Sequence, residues 1–362
     1  METIVRRSVG IDIAKATFTA CVATQKSSLK LETSEVLQFE NRTTGFNQFI
    51  KWLRKNKVNL KEVIFVMEAT GIYYEPIAYH LDKLGFNVSV VLPNKVKHYA
   101  KSLNVKSKTD IIDAKIIAKM GAERMLPLWE PPLPVLKELR DVTRLYSDLK
   151  AERTVFENKL QTVKAGNNPL DFIAKSIEAI ICGLNKEIEK CEQQIDKTIA
   201  SEPWLETKVK KLVSIKGVGI LTVAIIVAET QGFKLVNNRK QLASYAGYDV
   251  VETESGTSIK AQTRISKKGN SRIRAALYFP ALVASRHNKQ LKEVYNRINN
   301  KKSSKMIGVT AIQRKLLLLM FTLWKNDTEY DEKATNKTSG NQETKSLLRL
   351  NDAVVEKKQA DQ

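Results

Sequence analysis

The chain has 362 residues, enough for two or three domains, and its hydrophobic content of 43% is typical of a globular protein rather than a disordered one. A formal net charge of +21 predicts a polyanionic partner, with nucleic acid favoured over an anionic membrane. The longest apolar run, Leu316–Trp324, is about half the ~20 residues of a spanning helix, and three scattered cysteines cannot form a disulfide framework, so we expect a cytoplasmic protein without a membrane partner.

Residues 1–125 are predicted to alternate between strands and helices. The predicted strands are Ser8–Ile13, Thr17–Val22, Val36–Glu40, Glu62–Met67 and Asn87–Leu92. The predicted helices are a threonine-capped Phe46–Lys55, Pro76–Leu84, Lys95–Ser102 and Asp110–Ala122. Strands that first follow one another and then alternate with helices indicate a mixed α/β sheet.

A segment with four prolines, Leu126–Pro134, predicts a domain boundary because proline interrupts helices. Beyond it, Val135–Val163 and Phe172–Ile199 carry apolar residues at spacings of three and four, and the turn signal Gly166–Pro169 separates them. This pattern predicts two long antiparallel helices that form a coiled-coil arm. An ordinary helical hairpin packed on a domain fits almost as well.

The rest of the chain divides into a compact part and a tail. Residues 203–328 are predicted to be mostly helical, whereas residues 329–362 contain few large apolar residues and are expected to be disordered. The predicted domains are therefore a catalytic domain over 1–125, a linker and arm over 126–202, a helical domain over 203–328, and a tail over 329–362.

Four carboxylates stand where metal chemistry would place them. Asp12 and Glu68 each come at the end of an apolar strand, where a charge is costly unless it is paired or bound to a cation. Asp110 and Asp113 are three residues apart at a predicted helix start and so share one face. Two strand-borne acids and a helix-borne pair form the arrangement in which an RNase H-like fold holds two divalent cations. Each acid alone has a plainer explanation, such as a turn residue or a helix cap.

Between Lys260 and Lys305 thirteen basic residues face a single acid, Glu293. The loop Ile265–Asn270 is predicted to enter a helix over Ser271–Ser285, and backbone amides and cations at such a start suit phosphate binding. A solvated face is the alternative, but it fits poorly with a run this one-sided. The candidate nucleic-acid contacts are Lys260, Arg264, Lys267, Lys268, Arg272 and Arg274.

Two further segments are weaker signals. Glu254–Ser258 is predicted to be a flexible turn whose serine hydroxyl could attack phosphorus, although such a stretch is more often a plain loop. Leu212–Gly219, ahead of a predicted helix over Leu221–Glu229, resembles the hairpin of a helix-hairpin-helix module, in which Gly217 and Gly219 would let backbone amides approach DNA. A tight turn before a core helix explains the two glycines equally well.

Taken in order, these signals resemble the DEDD transposases of insertion sequences (the IS-one-ten family), which are relatives of the Piv DNA invertase. The matching segments are Val9–Asp12, Glu68–Gly71, Lys108–Ala114, the Gly217/Gly219 hairpin, Ser255–Gly256 and Arg264–Asn270. The resemblance covers roughly residues 5–325. It implies an RNase H-like (RuvC-like) N-terminal domain, a long coiled-coil arm and a mostly helical C-terminal transposase domain.

The resemblance also implies an activity, which is the cutting and joining of DNA. Asp12, Glu68, Asp110 and Asp113 would bind Mg²⁺, with Mn²⁺ as the alternative, and Ser255 would form a covalent link to DNA. A guide RNA, called a bridge RNA, would pair with target and donor DNA. The active unit would be a homo-oligomer, a dimer or a tetramer, in which the acids of one subunit meet the serine of another.

Other hypotheses stay open at this point. The segment around Ser255 is less glycine-rich than in many relatives, so Ser258 is a rival nucleophile. A Holliday-junction-type nuclease would use water as the nucleophile, and its C-terminal half would only bind. A non-catalytic nucleic-acid-binding protein or repressor is a third hypothesis. It is disfavoured because four carboxylates in a cationic protein would repel phosphate unless they bound metal.

Overall fold

The computed structural model describes residues 2–167, 170–251, 254–255, 259–260, 264–300 and 304–331. The chain divides into two compact units, Met1–Pro131 and Pro132–Gln362. The division falls within the segment of four prolines, where we expect the first domain to end. The finer division of the second unit into an arm, a helical domain and a tail stays a prediction, and residues 332–362 of the tail lie outside the described residues.

The first unit is built on a six-stranded mixed sheet with the order β3-β2-β1-β5-β6, in which β4 also pairs with β2. β1 and β2 are antiparallel, whereas β5 runs parallel to both β1 and β6. This arrangement confirms the predicted mixed α/β sheet. The strands are β1 (Ile4–Ile13), β2 (Thr17–Lys26), β3 (Leu31–Thr33), β4 (Leu37–Glu40), β5 (Ile64–Glu68) and β6 (Asn87–Val91).

Helices cover both faces of this sheet. They are α1 (Thr43–Lys55), α2 (Glu75–Lys83), α3 (Pro93–Ser102) and α4 (Asp110–Glu123). On one face, alternate strand residues such as Ile11 and Met67 join the aromatic side chains of β2 and α1 in a buried cluster. On the other face, Val66 of β5 packs with Ile117 of α4. The period of two along each strand therefore assigns successive residues to different cores.

Three details of this unit differ from the predictions. The short strand β3 was not predicted, which makes β6 the sixth strand rather than the fifth. The β1–β2 hairpin is longer at its open end, from Ile4 to Lys26. The threonine cap of α1 was a wrong prediction, because Arg42 occupies the N-cap without a side-chain cap bond. The hydroxyl of Thr44 instead donates to Oε2 of Glu40 at 3.2 Å.

The second unit begins with two long helices, α5 (Pro134–Ala165) and α6 (Asp171–Ala200), which pack against each other. Leu139 near the start of α5 and Ile195 near the end of α6 are fully buried in the main core of the unit. Side chains further along the pair, such as Val155 and Ile180, are exposed. The two predicted helices are thus confirmed as a packed antiparallel pair, and their coiled-coil geometry stays a prediction.

Seven further helices and four short strands complete the described part of this unit. The helices are α7 (Pro203–Val213), α8 (Ile220–Glu229), α9 (Arg239–Tyr245), α10 (Ser271–Ala276), α11 (Tyr278–His287), α12 (Lys289–Asn299) and α13 (Lys305–Asn326). The strands are β7 (Val250–Val251), β8 (Glu254–Ser255), β9 (Ile259–Lys260) and β10 (Arg264–Ile265).

Within the described residues, α13 is the one helix with the length and hydropathy to cross a membrane. It exceeds the length expected from the apolar run because the helix extends well beyond that run at its N-terminal end. Ile312, Leu316, Leu317 and Met320 of α13 are fully buried in the core of the second unit, and half of its most apolar window is buried. The hydropathy of α13 is accounted for by this packing.

Two predictions for this unit were wrong. The helix expected over Ser271–Ser285 is broken at Leu277, because Pro280 has no N–H to donate to the carbonyl of Ala276. Disorder was expected from residue 329 onward, but residues 329–331 are described and Tyr330 is bonded to the rest of the unit. The backbone N–H of Tyr330 donates to Ser214 Oγ at 3.0 Å, and its hydroxyl accepts from Asn288 Nδ2 at 2.8 Å.

Candidate active site and nucleic-acid interface

Asp12 and Glu68 lie side by side at the ends of two neighbouring strands. β1 and β5 are parallel, and their register pairs Ile11 with Met67. Asp12 and Glu68 come one residue later, so both project to the face opposite Ile11 and Met67, which is the face covered by α4. The predicted proximity of these two acids is therefore a consequence of the strand register.

Two glycines let α4 approach the sheet closely enough to bring its acids to the same place. A Cβ on Gly10 would collide with the backbone nitrogen of Ala118 and the carbonyl oxygen of Ala114 in α4. A Cβ on Gly121 would lie 2.6 Å from Cγ2 of Val66 in β5. Because the helix rests directly on β1, its first turn, which carries Asp110 and Asp113, lies at the end of β1 near Asp12.

The four carboxylates interact electrostatically. Burial, followed by the negative charges of Asp113, Asp110 and Glu68, raises the pKa of Asp12 from 3.8 to about 6. Burial also raises the pKa of Asp113, and the charge of Asp110 adds to that effect. The positive charge of Lys108 opposes the rise at both sites, and this residue was absent from the predicted set although it belongs to the same motif.

This donor set fits a hard divalent cation in chemistry and in charge. Carboxylate oxygens are the ligands that Mg²⁺ and Mn²⁺ prefer, and a cation would relieve the repulsion centred on Asp12. The side chains are not preassembled, because in the described part of the chain no three His, Cys, Asp or Glu side chains lie close enough to share one ion. Asp110 is exposed and Asp113 half-buried on the first turn of α4, so both have room to reorient.

The described residues around the predicted nucleophile form two pairs of short strands of a β-hairpin, so Glu254 and Ser255 are extended, while the other three residues of the expected flexible turn lie outside the described residues. At its base, β7 pairs with β10; further out, β8 pairs with β9, with Ser255 opposite Ile259. Ser255 therefore lies on strand β8, next to the tip of the hairpin. The rival nucleophile, Ser258, lies outside the described residues. Lys260, a predicted nucleic-acid contact, is on β9 opposite Glu254.

The basic loop 266–270 is fixed against the segment that follows α9. The backbone N–H of Ser266 donates to the carbonyl of Asp249 at 2.8 Å, and its hydroxyl donates to Asp249 Oδ1 at 2.5 Å. The N–H of Lys267 donates to the carbonyl of Gly247 at 3.1 Å. A Cβ on Gly269 would collide with the backbone of Gly247, so the two segments are in direct contact.

The predicted cations of this region differ in their surroundings. Arg264, Lys267 and Lys268 are exposed. Arg272 forms an ion pair at 3.0 Å with Asp148. Arg274 Nη1 donates to the carbonyls of Ala246 and Gly269 at 2.7 and 3.1 Å. The guanidinium group of Arg274 thus holds the loop in place, whereas that of Arg272 joins the start of α10 to α5. Contact of either group with nucleic acid stays a prediction.

The two glycines of the hairpin between α7 and α8 have different surroundings. Gly217 has φ +89°, and a Cβ there would lie 2.8 Å from Cγ1 of Val283, so packing requires glycine at this position. Gly219 is the N-cap of α8, and nothing in the described part of the chain lies within 4 Å of where its Cβ would be. The tight turn accounts for Gly217, whereas DNA contact through either glycine stays a prediction.

One acid that the sequence did not single out is buried in the second unit. The side chain of Glu229, the last residue of α8, is 2% exposed and forms an ion pair with Arg144 of α5. The available signal was a charged residue at the end of the apolar run that forms α8. That signal is the same one that identified Asp12 and Glu68.

Comparison with known families assigns both units. A family model described as "Transposase" matches residues 9–165, which include the four acids, and a model described as "Transposase IS116/IS110/IS902 family" matches residues 209–296. The pilin gene-inverting protein of Moraxella lacunata is 30% identical over 330 residues, covering 90% of this chain and 98% of the relative. This chain belongs to the IS110-type transposase family. It is accordingly an enzyme of DNA recombination.

Other similarities are weaker or partly redundant. The transposase is 29% identical to the pilin gene-inverting protein of Moraxella bovis over 90% of its own length and 98% of the relative. Among solved structures, RuvC of T. thermophilus in complex with a Holliday junction substrate matches 32% of the transposase and 90% of its own chain. The identity is 12% and the TM-score 0.24, so this match carries no weight for the fold.

Proposed function

We propose that the transposase cleaves and rejoins DNA through a divalent-metal site formed by Asp12, Glu68, Asp110 and Asp113, with Ser255 as the nucleophile. The observation that carries the proposal is the geometry that brings the acids to one end of the sheet: the register of β1 and β5 sets Asp12 beside Glu68, and the packing of α4 on Gly10 brings its first turn, with Asp110 and Asp113, to the same end. In a chain with a formal net charge of +21, a cluster of acids opposes nucleic-acid binding unless a cation neutralises it.

The sheet topology supports an RNase H-like assignment for the first unit. Three antiparallel strands, β3, β2 and β1, are followed by the parallel strands β5 and β6, and the acids stand at the ends of β1 and β5 and at the start of α4. The four acids would hold Mg²⁺ or Mn²⁺. When bound, the metal would neutralise the charge of a scissile phosphate and polarise its P–O bonds.

The chain's own residues would do the remaining chemistry. The hydroxyl oxygen of Ser255 would attack phosphorus, forming a phosphoserine bond while the bond to the leaving sugar oxygen breaks, and that oxygen would take up a proton. The hairpin base and loop 266–270 would present Ser255 beside the exposed cations Arg264, Lys267 and Lys268, which would bind flanking phosphates. A stored phosphoserine bond would allow rejoining without hydrolysis.

The partners and the cellular setting follow from the same proposal. DNA would be the substrate, and the family resemblance favours a bridge RNA as guide and a homo-oligomer, a dimer or a tetramer, as the active unit. Such an enzyme would act in the cytoplasm, where bacterial DNA lies. RNA that co-purifies with the transposase and protects a defined sequence from nuclease would support the guide; RNA-free protein that recombines DNA at full rate would contradict it.

The nucleophile is tested by trapping a covalent intermediate on a nicked suicide DNA substrate. Wild-type protein should form a protein–DNA adduct in Mg²⁺, and peptide mapping should place the DNA on Ser255. Ser255→Ala should abolish the adduct, whereas the matched control Ser271→Ala, at the exposed start of α10, should retain it. Asp12→Asn should abolish the adduct without preventing DNA binding.

Three outcomes would overturn parts of the proposal. An adduct that persists in Ser255→Ala but disappears in Ser258→Ala would move the nucleophile to Ser258. Metal-dependent nicks without an adduct, unaffected by Ser255→Ala, would show a nuclease that uses water. Recombination by Asp12→Asn at the wild-type rate would remove the metal site from the reaction.

A further inference from the structure

Glu229 lies at the centre of a hydrogen-bonded network in the second unit. Its carboxylate accepts from both arms of the Arg144 guanidinium, Nε to Oε1 at 2.7 Å and Nη2 to Oε2 at 2.9 Å. Burial alone would raise the pKa of Glu229, but the bonds from Arg144 and Asn270 outweigh burial, so the pKa lies below its ordinary value. The group is therefore a buried anion at neutral pH.

Asn270 connects this anion to the start of α10. Its Nδ2 donates to Glu229 Oε2 at 2.6 Å, while its Oδ1 accepts from the N–H groups of Arg272 and Ile273 at 3.0 and 3.3 Å. The helix cap fixes the direction of the amide oxygen, and the amide NH2 group is then directed at Glu229, which accepts its hydrogen bond. The side chain thus satisfies two separate elements with its two ends.

The same network includes the base of the hairpin that carries Ser255. The backbone N–H of Asn270 donates to the carbonyl of Tyr245 at 2.7 Å, and the hydroxyl of Tyr245 donates to the carbonyl of Glu229 at 2.8 Å. Four residues earlier, Ser266 bonds to Asp249 at the point where strands β7 and β10 pair. A displacement of Asn270 would therefore move the hairpin base.

Stability alone does not account for a charged group in this place. A buried ion pair adds little net stability compared with apolar residues of the same volume, because desolvation offsets its attraction. Glu229 is the one buried charged residue among those described in this unit, and the Arg144 side chain is 44% exposed, so it could be solvated without Glu229. Because hydrogen bonds are directional, the pair instead fixes the positions of the groups bonded to it.

We propose that Glu229 and Asn270 are positioning residues for the serine hairpin: Glu229, held by Arg144 of helix α5, fixes loop 266–270 and through it the strand that carries Ser255. This inference rests on the proposed role of Ser255. It goes further in assigning a function to a carboxylate outside the metal site, and it makes the long helix α5 part of the support of the nucleophile.

The test replaces the side-chain NH2 group of Asn270 by an oxygen atom and leaves the capping oxygen in place. Asn270→Asp retains the capping oxygen but places a second carboxylate against Glu229. Asn238→Asp is the matched control, because Asn238 caps α9 in the same way through Gln241 N–H at 2.9 Å. The double variant Glu229→Gln with Asn270→Asp restores a hydrogen bond between the two side chains with donor and acceptor exchanged. It loses the bond from Arg144 Nη2, because that group and Asn270 Nδ2 both donate to Glu229 Oε2. Ile226→Val, a buried change in the same helix, measures the effect of lowered stability alone.

Three quantities are measured for each full-length variant: the single-turnover rate of adduct formation at saturating DNA, the DNA dissociation constant, and the hydrogen exchange of peptides covering 264–270. We expect Asn270→Asp to slow the reaction by about 10- to 100-fold at nearly unchanged DNA affinity, and to speed exchange in 264–270. The double variant should recover part of the rate, because it keeps the bond between positions 229 and 270 but only one of the two bonds from Arg144. Asn238→Asp and Ile226→Val should match wild type in rate and exchange.

The inference is overturned if Asn270→Asp reacts and exchanges like wild type, or if Ile226→Val slows the reaction as much for the same loss of thermal stability. The proposed function fails in a different way. If wild type forms no adduct but Asn270→Asp still exchanges faster in 264–270 than Asn238→Asp does, the network positions the loop and Ser255 is not the nucleophile.

Discussion

Replacing Asp12 by asparagine tests the convergence of the acids without any activity measurement. The pKa of Asp12 is raised from 3.8 to about 6, first by burial and then by the other three acids. Between these two pH values the folded chain binds more protons than the unfolded chain, so the free energy of unfolding falls as pH rises through this window. Above the folded pKa the ionised Asp12 carboxylate destabilises the folded state to the full extent, and Asp12→Asn removes this destabilisation.

The size of the effect follows from the pKa values. The difference between 3.8 and about 6 corresponds to about 3 kcal/mol, at about 1.4 kcal/mol for each pKa unit. Asp12 is only half-buried, and solvent screening reduces this upper limit to about 1–2 kcal/mol. In a unit of this size that corresponds to a rise in the unfolding temperature of about 5 °C.

The assay is thermal unfolding of wild type and Asp12→Asn between pH 4 and pH 8 in EDTA. We expect the variant to be more stable at pH 8 and the two proteins to converge towards pH 4. Adding Mg²⁺ at pH 8 should stabilise wild type and leave the variant nearly unchanged, because ligand binding to the folded state adds to its stability. Asp82→Asn on α2, at the other face of the sheet, is the control and should show neither effect.

One result would refute the reasoning. If Asp12→Asn is no more stable than wild type at pH 8 in EDTA, and the difference between them does not change with pH, the four carboxylates do not repel one another at Asp12. The metal proposal would then lose the observation on which it rests.

Three further predictions concern packing, charge and capping. Gly10→Ala should destabilise the first unit by about 3 kcal/mol or more in urea unfolding, because α4 must move, whereas Gly183→Ala in the open middle of α6 should stabilise by up to about 1 kcal/mol; equal effects would contradict the close packing. Arg264→Gln and Lys268→Gln should each reduce the slope of log K against log salt for duplex DNA by about 1, and unchanged slopes would exclude phosphate contacts at these positions. Thr109→Ala should cost about 1 kcal/mol, because Oγ1 accepts from Ile112 N–H at the start of α4, and Thr109→Ser should restore it; a Ser variant as unstable as Ala would show that the cap bond does not matter.

Much of the first unit could be predicted from local pattern. Short apolar runs over β1 and β5, and an acid close to the end of each, were sufficient to place Asp12 and Glu68 near strand ends, because the composition and length of such a run are local properties. The apolar spacing along α5 and α6 was sufficient to predict two long helices for the same reason. The short strand β3 escaped prediction, because three residues are too few to show a period.

The second unit shows where local pattern fails. Ser255 was expected in a turn because Gly256 and its neighbours favour one, yet Ser255 pairs with Ile259 four residues further on, and Glu254 pairs with Lys260 six residues further on. Whether so short a segment forms a strand depends on the strand with which it pairs. The break at Leu277 was missed for a different reason: Pro280 was visible in the sequence, but the predicted helix was carried across it, although proline lacks the N–H that an unbroken helix needs there.

The amino-acid sequence by itself determined which residues could do chemistry: the acids at the ends of β1 and β5, the pair at the start of α4, and the one-sided basic charge that predicts a nucleic-acid partner. The tertiary structure decided which of them meet. The first turn of α4, with Asp113, lies near Asp12 because Gly10 lets α4 lie directly on the sheet, and Asn270 reaches Glu229 across 41 positions of the chain. Contacts of this kind depend on packing between elements distant in sequence, and no local pattern encodes them.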